Sequence, residues 1–331
     1  MPTLTIGDLA QNFLMRHSNA RLSRNLSTLG DELTFGIKKD VAAAMSGDTG
    51  QVASIDRALV RLDAQMLATN EAGIRADATG IALKTFTSRL QSIDLSVLSQ
   101  SATGPQLPAL AAGAKQAFLG ALSDLNGTAA GRPLFGGTAG AGPVLRNAEE
   151  IYANLVASVS AETTSQDASN AIDAYFADGG PFQTGDYLGE VTDDAPVRLG
   201  GGAVVEMNTR ADDPKVRAGL AAMARVAMLG ENIAMSLEEK AALGRNAVPH
   251  LLAATGGAIE LHSQTGASQA TIDSSKVRLG VERDALRTGR LDLLSADPYE
   301  TATRLQQTEQ QIETLHTLTA RLSRLSLVNF I

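Results

Sequence analysis

The chain has 331 residues, enough to bury a sizeable core or to divide into two or three domains, and carries 44% apolar but only 4% aromatic residues, with no Trp, which suits helix packing better than a ring-walled ligand cavity. It has no Cys, which excludes disulfides, thiolate catalysis and Cys-ligated zinc together. The formal charge of −8 sits entirely in 141–245, where 8 Lys/Arg face 16 Asp/Glu, so the flanks are neutral and no basic stripe for nucleic acid exists.

In chain order, 1–17 spaces Leu4, Ile6, Leu9, Phe13 and Leu14 among polar residues, unlike the continuous apolar core of a signal peptide. No apolar run reaches the roughly 20 residues of a membrane span. A helix is predicted from Asp8 to about Phe35, with Met15, Leu22, Leu26, Leu29 and Leu33 on one stripe and Arg16, Arg21 and Arg24 on a solvated face. Gly36 and the charged Lys38, Lys39 and Asp40 break it. After Ser46–Gly50, Ser54 is expected to cap a helix reaching Leu98, with Ile55, Leu59, Leu62, Met66, Phe86, Leu90, Ile93 and Val97 on its stripe. Gly73 and Gly80 mark either a bend or an interface that needs small residues. Gly104, Pro105 and Pro108 end that helix, and Ala109–Leu125 forms another.

The period then changes. Asn147–Val159 and Ala168–Phe176 read as short helices, while Pro196–Leu199 and Ala203–Met207, parted by Gly200, Gly201 and Gly202, read as strand, loop, strand. Asp213–Leu229 returns to helix with Pro214 in its first turn. From about Leu251 to Leu294 a seven-residue step runs through Ile272, Leu279, Leu286 and Leu293. Asp297 and Pro298 open a terminal helix striped by Leu305, Ile312, Leu315, Leu322 and Leu325. One such stripe buries too little to offset the entropy of ordering some 30 residues, so each end needs a partner. Pairing the two ends helps, and neighbouring subunits help more.

The paired ends, Arg21–Asp40 ("RLSRNLSTLGDELTFGIKKD") and Asp297–Ile331, resemble the termini of the bacterial flagellin superfamily. Within it the closer match is the hook-filament junction subfamily, on the tail "LSLVNFI" (Leu325–Ile331) and the run "GRPLFGGT" (Gly131–Thr138). Filament flagellins carry an Arg-Ile-Asn-x-Ala-x-Asp-Asp type run after the first helix. Here Ile37, Lys38, Lys39, Asp40 and Val41 stand instead, which counts against a filament subunit.

The resemblance implies a mainly α, elongated flagellin-like rod of long helices formed by both termini, with a small inserted α+β lobe. Its implied divisions are a terminal inner-tube domain (1–40 plus 296–331), a long-helix rod (41–140 plus 246–295) and an acidic surface lobe (141–245). It further implies a secreted structural subunit, exported by the flagellar type III route and held before assembly by a chaperone. The implied partners are other copies of the chain, a second hook-associated junction protein and flagellin, with neither nucleic acid nor membrane. The assembly interface would be Met15, Leu22, Leu26, Leu29, Leu33, Leu305, Ile312, Leu315, Leu322 and Leu325. Flagellin of the filament itself, or a type III-secreted coiled-coil adaptor or tip protein, are the alternatives.

An enzyme is not expected, and neither is a cofactor or metal. His17, His250, His262 and His316 form no ligand pair at helical spacing, and "GGTAGAG" (Gly136–Gly142) is no phosphate loop and reads as a turn. Asp193, Asp194, Asp212 and Asp213 are explained by solubility and capping, and no Ser lies in a Gly-x-Ser-x-Gly setting.

Overall fold

The computed structural model describes residues 6–45, 47–99 and 107–328, apart from the side chains of 6–9, 11, 12, 43, 97, 99 and 322–328. Leu4, Ser46, Gly104, Pro105 and the last three residues of the tail therefore lie outside the described residues, as do the side chains of Ile6, Leu9 and Val97. The fold is mainly α, as expected, with two small two-stranded ribbons among the described residues. Contacts divide the chain into two compact units, Met1–Asp63 with Val281–Ile331, and Ala64–Gly280.

The first unit contains α1 (Ile6–Phe35), the short α2 (Val41–Ala44), the start of α3 (Gly50–Gln91), the end of α9 (Leu237–Leu294) and α10 (Pro298–Val328). Gly36 ends α1 with φ +69°, a left-handed conformation that a residue without Cβ adopts freely. The chain then pairs Ile37 antiparallel with Ser295, Lys38 N–H donating to the Leu294 carbonyl at 2.8 Å and Ala296 N–H to the Gly36 carbonyl at 2.9 Å. Asp297 caps α10 as predicted, accepting from the Tyr299 and Glu300 N–H groups at 2.8 and 3.1 Å. The cap of α3 differs from expectation. Asp48 accepts from Gly50 N–H at 3.1 Å, whereas Ser54 lies inside the helix and donates to the Gln51 carbonyl. Aspartate at this position reaches the free N–H groups earlier, so the helix begins four residues before the predicted start.

The second unit is built around one core. It joins Phe86, Leu90 and Ile93 to α5 (Leu107–Leu125), α6 (Ala148–Val159), α7 (Ser165–Tyr175), α8 (Pro214–Ala227) and residues 241–261 of α9. α3 stops at Gln91 and not at Leu98, because Asp94 accepts from Ser96 N–H at 2.8 Å and opens α4 (Leu95–Ser99). Asn147, Thr164 and Asp213 cap α6, α7 and α8. Gly73 and Gly80 do not interrupt α3. A Cβ on Gly73 would meet Lys276 Nζ at 2.5 Å and one on Gly80 would meet Gln269 at 3.1 Å, so both admit the neighbouring α9. α9 itself starts at Leu237, ahead of the predicted Leu251, and runs through Pro249. Pro249 removes the hydrogen bond to residue 245, at a place where both residues are exposed to solvent.

The predicted ribbon is present as β3 (Val197–Arg198) and β4 (Val204–Val205), antiparallel across Gly200–Gly202. A second ribbon was not anticipated: β1 (Thr128–Ala129) pairs with β2 (Arg132–Pro133) around Ala130 and Gly131, at φ +51° and +76°. Two-residue strands are too short to show alternation, so only the turn chemistry could have revealed them. This ribbon sets Leu134 and Phe135, at 9% and 0% exposure, into the core, and the Phe135 carbonyl accepts from Ala211 N–H at 2.9 Å.

The Gly-rich 136–142 run is a turn. A Cβ on Gly137, at φ +61°, would meet the Glu190 and Thr192 carbonyls, both at 2.5 Å. The acidic segment is partly neutralised by cations, some from outside it: Asp194 pairs with Arg75 at 2.6 Å and Arg132 at 3.3 Å, and Glu231 with Lys115 at 3.1 Å. Arg210 pairs with Asp193 and Asp212, and the buried Arg225 with Asp173. The buried Tyr175 hydroxyl donates to Asp186, and burial first, then that carboxylate, pushes its pKa far above the usual tyrosine value.

Phe135→Ala should lower the stability of the second unit by about 3–5 kcal/mol, the usual cost of emptying a fully buried phenylalanine site. Denaturant unfolding followed by tyrosine fluorescence measures it, since Tyr152, Tyr175 and Tyr187 lie in that unit.

Candidate assembly interface

α1 and α10 lie against each other in the first unit. On α1, Leu22 is buried at 8% exposure, Met15, Leu26 and Leu29 are half-buried, and Leu33 is exposed at 41%. On α10, Leu305, Ile312 and Leu315 are half-buried, while the side chains of Leu322 and Leu325 lie outside the described residues. Met15 approaches the opposite helix directly, its sulfur 3.6 Å from the Thr319 hydroxyl. An open groove of about 490 Å³ runs between the two helices, bordered by Arg21, Leu22, Gln307, Gln311, Leu315 and Leu318.

The seam contains two residues that sequence reasoning passed over. Thr301 and Thr308 are the buried positions of α10 among the described residues, at 6% and 8% exposure. They continue the seven-residue step of Leu315 and Leu322 backwards, so the period pointed to them although their residue type did not. Thr308 Oγ donates to the Arg304 carbonyl at 2.8 Å, which satisfies the hydroxyl within its own helix. A threonine seam gives less apolar burial than a leucine one, so this pairing is weak for its length.

Apolar surface remains around it. Phe13 is 69% exposed, Phe35 72% and Leu318 49%. The neighbouring ion pairs, Lys39 with Asp31 at 2.6 Å and Arg304 with Glu300 at 2.7 Å, are exposed and add little. What holds the base of the seam is the backbone pairing of Ile37 with Ser295 and the contact of Arg290 with Asp56 at 2.7 Å. Such an arrangement provides surface for helix packing and presents no reacting groups.

Elsewhere, among the described residues, no three His, Asp or Glu side chains stand where they could hold a metal ion. His17, His250 and His316 are exposed and His262 half-buried. Burial chiefly, with the Arg225 charge second, lowers the His250 pKa. A cleft of about 290 Å³ in the second unit is lined by Arg75, Thr79, Glu206, Asn208, Thr209 and Ser268 among others, without a histidine to activate a hydroxyl. Among the described residues no helix is long and apolar enough to cross a membrane.

Residues 253–331 match the family model of the bacterial flagellin C-terminal helical region. Among solved structures, the fold is similar to a crystal structure of Bacillus cereus FlgL, with a TM-score of 0.52 and 14% identity, over 72% of this chain and 99% of that one. The C-terminal helical region of the chain is flagellin-like. The family match takes in most of α9 and all of α10, and with them Leu305, Ile312, Leu315, Leu322 and Leu325. No curated protein matches the sequence.

If the flagellin-like seam is an assembly surface, Leu22→Asp or Leu315→Asp should abolish assembly while changing the stability of the second unit by no more than about 0.5 kcal/mol. Sedimentation reads the first effect and tyrosine-detected unfolding the second. A large loss of stability in the second unit would contradict it.

Proposed function

We propose that the chain is a structural subunit of the bacterial flagellum, placed at the junction of hook and filament, and not an enzyme. The carrying observation is the terminal seam: two helices from opposite ends of the chain, one of them within a flagellin-type region, paired among the described residues through one buried leucine and two threonines. A surface so incompletely buried gains most from neighbours that cover its remaining faces. The likeness to FlgL in fold and the resemblance of "GRPLFGGT" and "LSLVNFI" to the junction subfamily support the junction over the filament.

In this reading Met15, Leu22, Leu26, Leu29, Leu33, Leu305, Ile312, Leu315, Leu322 and Leu325 meet equivalent residues of neighbouring copies. Residues 1–40 and 296–331 form an inner tube, 41–140 and 246–295 a rod around it, and 141–245 an acidic outer lobe. The subunit leaves the cell by type III export, guarded by a chaperone that covers its weakly held ends. Its other partners are a second hook-associated protein on one side and flagellin on the other. Contacts between unlike surfaces of identical subunits continue from copy to copy, which suits a ring or short helical array.

A strain lacking this chain should make hooks without filaments and release flagellin to the medium, and restoring the chain should restore both filament growth and motility. Electron microscopy of the isolated hooks decides it. Full filaments on hooks of the deletion strain would overturn the junction reading, and long filaments grown from the purified chain alone would favour a filament flagellin.

A further inference from the structure

Arg225 on α8 is 1% exposed, and its charge is only partly answered. Nε donates to the Ser169 hydroxyl at 3.2 Å and Nη2 to Asp173, whose side chain is 54% exposed and shares its charge with water. Among the described residues Nη1 has no hydrogen-bond partner. Nor is it shut off from solvent, as the unpaired Nε atoms of Arg75 and Arg283 are. Burying a guanidinium is costly unless its donors are satisfied, and this nitrogen is open to an acceptor from outside the chain.

Arg225 lines a pocket of about 260 Å³ whose other residues come from α7, α8 and α9 of the second unit. Ordinary ligand pockets hold roughly 300–1,000 Å³, so the occupant of this one is small. Its apolar lining is Ala218, Ala221, Ala253 and Ala254, and the polar residues beside Arg225 are Asp173, Lys215 and His250. The field at the histidine is positive. After burial, the Arg225 charge is what lowers the His250 pKa, and Asp173 raises it by less. Lys215 pairs with Glu260 at 2.7 Å, but that carboxylate is 57% exposed and takes no part in the lining.

We propose that this pocket binds a small aliphatic monocarboxylate, a carboxylate oxygen accepting from Arg225 Nη1 and the hydrocarbon body lying on the alanines. Charge-assisted bonds from a guanidinium to a carboxylate are among the stronger hydrogen bonds of proteins. The lining has no hydroxyl or amide side chain for the several hydroxyls of a sugar, and one open nitrogen does not match the oxygens of a phosphate. None of these residues belongs to the terminal seam, so the site is a binding function apart from assembly.

Butyrate is the probe, and the ring C–H signals of the 4 histidines of the purified chain, followed by NMR across pH at constant ionic strength, are the readout. Millimolar butyrate should raise the His250 pKa by about half a unit, since a negative charge arrives beside it, and leave His17, His262 and His316 unmoved. Butyramide, similar in shape but uncharged, should shift none of them. Ala218→Leu and Ala253→Leu together fill the pocket from exposed positions, so they should abolish the shift and leave the unfolding midpoint unchanged. No shift at His250, a shift shared by every histidine, an equal shift with inorganic phosphate, or a shift that survives in the leucine variant would overturn the site.

Discussion

The seam between α1 and α10 is the interaction on which the rest of this structure depends. It brings the two ends of the chain together, yet among the described residues it buries one leucine, Leu22, and two threonines, Thr301 and Thr308, along helices of 30 and 31 residues. Two isolated helices of that length gain their stability from packing more than from propensity. Here the packing is thin. The backbone clasp of Ile37 with Ser295 holds the two ends in place where they leave their connectors, and beyond it the helices rely on half-buried leucines. A soluble enzyme would be poorly served by such an element. A subunit that must stay loose until it meets its neighbours is well served by it, because ordering and burial then occur in the same step.

The second unit has the opposite character. Its core draws on every helix from α3 to α9 and is closed by Phe86, Phe118, Phe135 and Phe182, each at 1% exposure or less. Its acidic residues are largely tied down. Asp194 lies between Arg75 and Arg132, and Asp212 and Asp193 share Arg210, so the negative balance of 141–245 acts less as a repelling surface than its count suggests. The contrast between a closed core and a scarcely buried seam gives the molecule one part that is finished by its own chain and one that is not.

Much of this was legible in the sequence where local chemistry decides structure. Asp297 caps α10 as expected, α6 and α8 form where Asn147–Val159 and Asp213–Leu229 read as helices, and Val197–Arg198 pairs with Val204–Val205 within the two strands that their glycines parted. The misses share a cause: local signals compete, and tertiary packing chooses among them. Ser54 and Asp48 are both good caps, and the aspartate that comes first wins. The heptad was read from about Leu251, but α9 begins at Leu237 and passes through Pro249 because buried Leu243, Ala247 and Leu251 hold both sides of it to the core. The ribbon at Thr128–Pro133 is too short to leave a period, and it was not read from the sequence. In the seam between α1 and α10 the leucines were visible by type, whereas Thr301 and Thr308 needed the seven-residue period to be followed back from Leu315.

The central claim, that neighbouring subunits complete the terminal seam, is tested most directly by amide hydrogen exchange on the free chain and on protein recovered in assembled flagella. Local opening governs exchange, so a seam stabilised mainly by neighbours exchanges quickly when alone. The account predicts that amides of 12–33 and 301–320 exchange at least a hundredfold faster in the free chain than in the assembly, while α5 and α8 are equally slow in both. Slow and equal exchange of α1 and α10 in the two states would contradict it.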